Sequence, residues 1–191
     1  MPIYRDNDVV AGYVHSIPIS RAAFEANYIL LSATFAAVYN QGLGEMAGPR
    51  VAELILKDVA KARGMDATPL LDEIKRLSCL IQPGANGWET IPLHEAISRK
   101  QIDEDDVAEV MGALVFFTCA WGTMPRQRAK DILPGAARMW GAEMSSLLPT
   151  EWIASLQTST ETASSGATAL PLAAAPTLAG TTIMVDGNPT S

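Results

Sequence analysis

The feature that most constrains this chain is a segment that begins with an acidic run and continues as a nearly unbroken apolar helix pattern. Asp103 occupies a helix N-cap position, and the carboxylates of Glu104, Asp105 and Asp106 follow in the first turn, where unpaired backbone N–H groups favour negative charge. Apolar residues then lie on both sides of the helix as far as Trp121. A helix that is apolar all round is buried or lies in an interface. We therefore predict that this helix forms the centre of the core.

Helix signals recur before this segment. Ser20 is a good N-cap, and the apolar residues from Phe24 to Val38 recur at steps of three and four, which places them on one face of a single predicted helix. A second helix is predicted to open at Gly48, with Pro49 at its first position. A third, shorter helix follows near residue 68, and a more polar helical region is predicted for residues 126–147, with an interruption near Pro134.

Strand signals are fewer. Residues 1–19 have an extended pattern that could form one or two short strands. Strand-like residues on both sides of a Pro-Gly-Ala-Asn-Gly turn predict a β-hairpin near residues 78–91. We therefore predict a mainly α fold, a helical bundle of six or seven helices with one small β-hairpin, over residues 1–156.

The end of the chain differs in composition. Residues 157–191 carry only two charged side chains, Glu161 and Asp186, among Thr, Ser, Ala, Gly and Pro. Such a segment buries too little apolar surface to offset the entropy of ordering, so we predict a low-complexity flexible tail. One part of it, Thr181–Val185, could form a strand on the edge of a partner's sheet.

Composition and charge exclude some classes of function. The chain has 191 residues and a formal net charge of −7, so phosphate backbones would repel it and no nucleic-acid partner is predicted. The apolar run that ends at Trp121 is too short to span a bilayer, and no membrane association is predicted. The first twenty residues contain no signal-peptide pattern. These observations predict a cytoplasmic protein.

A search for catalytic or ligand-binding residues finds none that converge. His15 and His94 are the only histidines, and neither stands in a Cys/His cluster. Cys79 and Cys119 lie in apolar runs, as expected for buried, reduced thiols. No enzyme activity, cofactor or metal site is predicted. A small enzyme that uses His94 or Cys119 is a remote alternative.

Aromatic residues are the best candidates for a binding surface. The chain has four tryptophans, and Trp is enriched at interface hot spots. We predict that a protein partner binds the apolar face of the 107–121 helix together with two tryptophans that follow it. The candidate residues are Phe116, Phe117, Trp121, Trp140 and Trp152.

The second half of the chain resembles the tail assembly chaperones of long-tailed bacteriophages. The resemblance covers roughly residues 100–175 and rests on the order of segments: IDEDDVAEVMGALVFFTCAW, a Pro-interrupted polar helix, LLPTEWIASL and an Ala/Pro/Ser/Thr tail. No diagnostic motif accompanies this order, and residues 1–99 have no counterpart in the family. The resemblance implies a protein that binds the tape measure protein, keeps its long apolar helix soluble and helps tail tube subunits to polymerise.

A second class of function fits the same features. A structural virion component, such as a tail-completion or connector protein, could dock onto its neighbours through the C-terminal tail. A homo-oligomer is possible in either case. Stable ring assembly would favour the structural component, whereas binding of the tape measure protein would favour the chaperone.

Overall fold

The computed structural model describes residues 1–5, 9–85, 87–145 and 149–154. The chain divides into two units, Met1–Pro149 and Thr150–Ser191. Of the second unit, only residues 150–154 are described, and they belong to a helical turn that starts at residue 149. The tail predicted for residues 157–191, including Thr181–Val185, lies outside the described residues.

The first unit contains both strands and helices. Its strands are β1 (Pro2–Arg5), β2 (Val9–Ser16), β3 (Ser78–Gly84) and β4 (Gly87–Pro92). Its helices are α1 (Arg21–Ala26), α2 (Tyr28–Asn40), α3 (Gly44–Ala62), α4 (Thr68–Arg76), α5 (Leu93–Ser98), α6 (Glu104–Thr123) and α7 (Arg126–Met139).

The four strands form one antiparallel sheet in the order β1-β2-β3-β4. Val14 of β2 stands opposite Leu80 of β3, which stands opposite Ile91 of β4. Residues opposite one another share a face of a sheet, and all three of these side chains are buried in the main core. The Ser78 hydroxyl donates a hydrogen bond of 2.8 Å to the Ser16 hydroxyl at the end of the β2–β3 pair.

The predicted fold class, a helical bundle with one small hairpin, is therefore wrong. A hairpin does lie near residues 78–91, but it forms only half of a four-stranded sheet. The β3–β4 pairing is local, so turn residues reveal it. The β2–β3 pairing joins residues that are between 62 and 68 positions apart, and no local pattern indicates which strand pairs with which.

The first predicted helix is divided in two. Ser20 is its N-cap, and the Ser20 hydroxyl accepts a hydrogen bond of 3.1 Å from the backbone N–H of Ala23. At Asn27 the backbone leaves the helical conformation, and the Asn27 side-chain amide donates to the Ala23 carbonyl at 2.9 Å. Asn side chains compete with the backbone for such bonds, so α1 ends there and α2 begins at the next residue.

The prolines of α3 and α7 lie inside these helices. Helix α3 begins at Gly44, one turn earlier than predicted, and Pro49 occupies an internal position. Helix α7 runs continuously through Pro134, so the interruption predicted near Leu133-Pro134-Gly135 is absent. A proline inside a helix provides no N–H for the carbonyl four residues before it. In α3 that carbonyl belongs to Glu45.

Helix α6 packs against α2 and α3 in the centre of the helical layer. It begins after Asp103, as predicted, and contributes eight buried residues to the core. Two glycines allow α3 and α6 to approach closely. A Cβ atom on Gly48 would lie 2.7 Å from the ring of Phe116, and one on Gly112 would overlap the carbonyl oxygen of Pro49.

Among the described residues, one helix is long and apolar enough to cross a membrane. This helix is α6. The central helix of a water-soluble fold passes the same test of length and composition. Because α6 packs against α2 and α3, its apolar residues have a structural role within the first unit.

Candidate functional site

The structure separates the five aromatic residues predicted to form a binding surface. Phe116 is 1% exposed and belongs to the core. Phe117 is half-buried, and its ring meets that of Phe116 edge-on at a centroid distance of 5.4 Å. Trp121 is 40% exposed at the end of α6. Trp140 is half-buried just after α7, whereas Trp152 lies in the second unit.

Trp121 is exposed beside the place where α6 meets α1. The next residue, Gly122, lies so close to Phe24 of α1 that a Cβ atom on it would overlap the Phe24 ring. Phe24 in turn meets the ring of Tyr28 edge-on at 5.8 Å. Tyr28 and its neighbour Ile29 are exposed, Ile29 to 59%. We call Phe24, Tyr28, Ile29 and Trp121 the aromatic patch.

Helix α2 extends this apolar character along the surface. Its 13 residues, YILLSATFAAVYN, include no charged side chain. Leu30, Leu31, Thr34 and Val38 are buried on its inner side, and Ala36 is exposed on its outer side. Contiguous exposed apolar surface on a soluble domain marks a binding site more often than an isolated apolar residue does.

A second exposed surface forms where α7 ends against the start of α3. The indole N–H of Trp140 donates a hydrogen bond of 3.1 Å to the backbone carbonyl of Glu45. That carbonyl has no helical donor, because Pro49 stands where the donor would be. The proline inside α3 thus creates an acceptor, and Trp140 occupies it. This bond fixes the position of the segment that follows α7.

We expect Pro49 and Trp140 to be energetically coupled. Trp140→Phe removes the indole donor and should destabilise the protein by about 1–3 kcal/mol, because the Glu45 carbonyl loses its partner. Pro49→Ala supplies a backbone N–H for the same carbonyl. In the Pro49→Ala background Trp140→Phe should therefore cost about 1 kcal/mol less. Urea denaturation of the wild type, both single variants and the double variant measures this difference.

The matched control for this cycle is Pro134→Ala combined with Trp140→Phe. Pro134 lies inside α7, and the carbonyl that its missing N–H leaves free is not the one that Trp140 contacts. Additive effects are expected for this second pair. Additive effects for Pro49 and Trp140 as well would contradict the role assigned to the hydrogen bond.

The side chain of Glu45 anchors the same corner from the other side. Its carboxylate accepts a hydrogen bond of 2.7 Å from the hydroxyl of Tyr39 at the end of α2. Burial, this hydrogen bond and the charge of Glu45 raise the pKa of Tyr39, while Arg128 of α7 lowers it. Glu45 therefore connects α2, α3 and the residues around α7.

Three large apolar side chains on α3 and at the end of α7 are exposed. Met46, next to Glu45, is 71% exposed. Leu54, two turns later on α3, is 62% exposed, and Met139, next to Trp140, is also exposed. Arg50 lies between Met46 and Leu54 on the same exposed side of α3.

The charges of this region differ in sign from those of the whole chain. Helix α7 carries four cations, Arg126, Arg128, Lys130 and Arg138, and one carboxylate, Asp131. All four cations are exposed. Within the described part of the chain, neither these four nor Arg50 forms an ion pair. Exposed cations without an ion-pair partner on a protein with a net charge of −7 favour a negatively charged partner.

Sequence reasoning missed Met46, Leu54, Met139 and Arg50. The signal was present for three of them, because Met46, Arg50 and Leu54 are spaced four residues apart and so share a helix face. The predicted start of the helix at Gly48 left Met46 outside it. Helix α3 starts instead at Gly44, which brings Met46 onto the exposed face.

The acidic start of α6 contains a carboxyl group, that of Asp106, whose pKa is strongly raised. Burial, a hydrogen bond with Asp103 and the nearby charges of Asp103, Glu109 and Asp105 raise the pKa of Asp106 from 3.8 to about 6. The folded state therefore binds this proton more tightly than the unfolded state does. The contribution of Asp106 to stability is favourable at low pH and is lost as pH rises through about 6.

We therefore expect Asp106→Asn to raise the melting temperature at about pH 7.5 and to have a smaller effect at about pH 4.5. Asn cannot ionise, so the repulsion within the acidic run falls only where Asp106 would be charged. Thermal melts at both pH values measure the effect. Glu104→Gln in the same turn removes one charge and serves as the control. An equal rise for both variants would mean that net charge alone is responsible.

The residues considered for catalysis do not form a site. Cys119 is buried in α6, and burial raises the pKa of its thiol to about 12, so a thiolate does not form near neutral pH. Burial also raises the pKa of Cys79. His94 is exposed in the first turn of α5. In the described residues, no group of three or more His, Cys, Asp or Glu could hold a metal ion.

A shallow depression lies where α3 meets α4. Its volume is about 420 Å³, and it is open to solvent. Asp66 in its wall accepts a hydrogen bond of 2.9 Å from the backbone N–H of Thr68 and so caps α4. The lining residues are Lys57, Ala60, Lys61, Met65, Asp66, Ala67, Thr68 and Leu71. They do not combine the apolar walls and convergent polar groups of a small-molecule site.

Comparison of the chain with protein-family models, with curated proteins and with solved structures finds no match.

Proposed function

We propose that this chain is a non-catalytic protein-binding factor that acts as a tail assembly chaperone of a long-tailed bacteriophage. The observation that carries the binding role is the aromatic patch. It combines the exposed side chains of Tyr28, Ile29 and Trp121 with the half-buried Phe24, which contacts the Tyr28 ring and lies beside Gly122. Tyr28 and Ile29 belong to α2, a helix with no charged residue. The family assignment rests on the order of segments in residues 100–175.

The chemistry of this patch suits an apolar helix of a partner. Trp and Tyr provide large, rigid contact surfaces and are enriched among interface hot spots. The uncharged side of α2 allows a partner helix to approach without removing water from a charge. A tape measure protein would present such a helix, and a chaperone would cover it until tube subunits assemble around it.

The first experiment is a co-expression pull-down. The full chain and a chain that stops after Leu156 would each be captured from cells that express the neighbouring genes. We expect both to retain a long helical protein, because the aromatic patch lies within the first unit. Trp121→Ser combined with Ile29→Ser should abolish capture and leave the circular dichroism spectrum unchanged.

A matched control keeps this test specific. Met144→Ser changes an apolar side chain that is 40% exposed after α7, outside the aromatic patch, and should leave capture intact. Failure of the wild type to retain a helical protein, together with a closed ring by light scattering, would contradict the chaperone role. That outcome would favour the structural virion component.

A further inference from the structure

The corner between α3 and α7 presents a surface that the aromatic patch does not include. We call Met46, Arg50, Leu54, Arg138, Met139 and Trp140 the α3–α7 face. Met46 and Leu54 are the two most exposed large apolar side chains of α3. The hydrogen bond from Trp140 to the Glu45 carbonyl holds Trp140 and its neighbour Met139 beside the first turn of α3.

We propose that the α3–α7 face binds an acidic amphipathic helix of another protein. The partner helix would place apolar residues against Met46, Leu54 and Met139 and carboxylates against Arg50 and Arg138. Unbranched methionines adapt to the shape of an apolar helix face. Charge complementarity favours a negatively charged partner, because both arginines are exposed and form no ion pair in the described part of the chain.

The dimensions of the face suit a helix. Met46 and Leu54 are eight residues apart on α3, which corresponds to about 12 Å along the helix axis. A partner helix spans a similar distance between apolar anchors at positions i and i+7 or i+8. Trp140 gives the face a rigid edge, since its ring is fixed by the hydrogen bond to Glu45.

The same observations argue against two other occupants. If this face met the same face of a second copy, Arg50 and Arg138 of one copy would lie against the arginines of the other. Like charges at an interface are unfavourable. A nucleic acid would place phosphates over Met46, which is 71% exposed, and would leave the apolar residues of the face without an apolar partner. Neither occupant uses the apolar and the basic residues together.

The test uses the full chain and two labelled synthetic peptides of about 20 residues. Both peptides are helix formers with leucines on one face; one carries glutamates at the edges of that face and the other carries lysines at the same positions. Fluorescence anisotropy measures binding at about 50 mM and about 500 mM salt. We expect the acidic peptide to bind at least about tenfold more tightly than the basic one and to weaken at high salt.

Variants of the chain test whether the residues of the α3–α7 face bind the peptide. Arg50→Glu combined with Arg138→Glu should weaken the acidic peptide by about tenfold or more and strengthen the basic one. Met46→Ser combined with Leu54→Ser should weaken the acidic peptide by a similar factor. Lys61→Glu combined with Arg63→Glu reverses two exposed cations at the other end of α3 and should have little effect. Circular dichroism melts establish that each variant is folded.

Several results would overturn the proposal. These are equal binding of the two peptides, no binding of either, an equal loss in the Lys61/Arg63 control, and tighter binding of a single-stranded oligonucleotide than of the acidic peptide. Self-association that the Arg50/Arg138 variant abolishes would assign the face to a second copy instead. The outcome is separable from that of the pull-down, because the aromatic patch is intact in all these variants.

Discussion

Gly112→Val should prevent the protein from folding stably. A Cβ atom at Gly112 would overlap the carbonyl oxygen of Pro49, and it would lie 3.3 Å from the backbone of Arg50. The obstructing atoms belong to the backbone of α3, so no side-chain rotation relieves the overlap. Domains are stable by only about 5–15 kcal/mol, and valine adds two methyl groups beyond the Cβ. We expect loss of the cooperative urea transition.

Gly112→Ala measures the same contact in a milder form. Alanine favours a helix over glycine by about 1 kcal/mol, but the overlap with α3 should exceed that gain and give a net loss of about 2–3 kcal/mol. Gly135→Ala is the matched control. Gly135 also lies inside a helix, and a Cβ atom there would have no neighbour within 4 Å. It should stabilise the protein by up to about 1 kcal/mol. A gain in stability for both variants would show that α3 and α6 are farther apart than the structure places them.

The second prediction compares the loss of stability caused by substituting a core residue and a surface residue of α6. Phe116→Ala should destabilise the protein by about 3–5 kcal/mol, because the ring is almost completely buried and packs against Gly48. Trp121→Ala, five residues later on the same helix, should cost less than about 1.5 kcal/mol, since the side chain is 40% exposed. Urea denaturation of the two variants measures both values.

Capture of the partner should depend on Trp121 and not on Phe116, which is the reverse of the order expected for stability. Trp121→Ala should remain folded and lose capture of the partner. A more conservative change, Phe116→Leu, should retain capture if it folds, since Phe116 lies beneath the surface. Equal destabilisation by Phe116→Ala and Trp121→Ala would mean that Trp121 is also a core residue, and the aromatic patch would then lose its strongest member.

Local chemistry accounts for the parts of the fold that could be predicted. The N-cap at Ser20, the start of α6 after Asp103 and the β3–β4 hairpin each depend on residues within a few positions of one another. The joining of the β1–β2 half of the sheet to the β3–β4 half depends on the pairing of β2 with a strand far along the chain. Residues 1–19 therefore have a strand pattern, but nothing nearby indicates that this pattern completes a sheet with β3 and β4.

The surface was harder to predict than the core. Apolar periodicity indicates which residues of α6 are candidates for burial, but on a helix that is apolar all round it does not separate Phe116 from Trp121. Packing against α2 and α3 makes that distinction. The α3–α7 face depends on Pro49 being internal to a helix, and a proline after a glycine more often indicates a helix start.

The order of the strands has a consequence for synthesis on the ribosome. Strand β2 is made early, but its partner β3 follows only after α1 to α4, with Ser16 and Ser78 separated by 62 positions. At usual translation rates this interval is roughly 3–12 s. Throughout it, the edge of β2 that will receive β3 has no strand to pair with, and unpaired strand edges promote aggregation. The nascent chain is therefore most vulnerable before residue 84 emerges, and slower translation of α1 to α4 should lower the soluble yield.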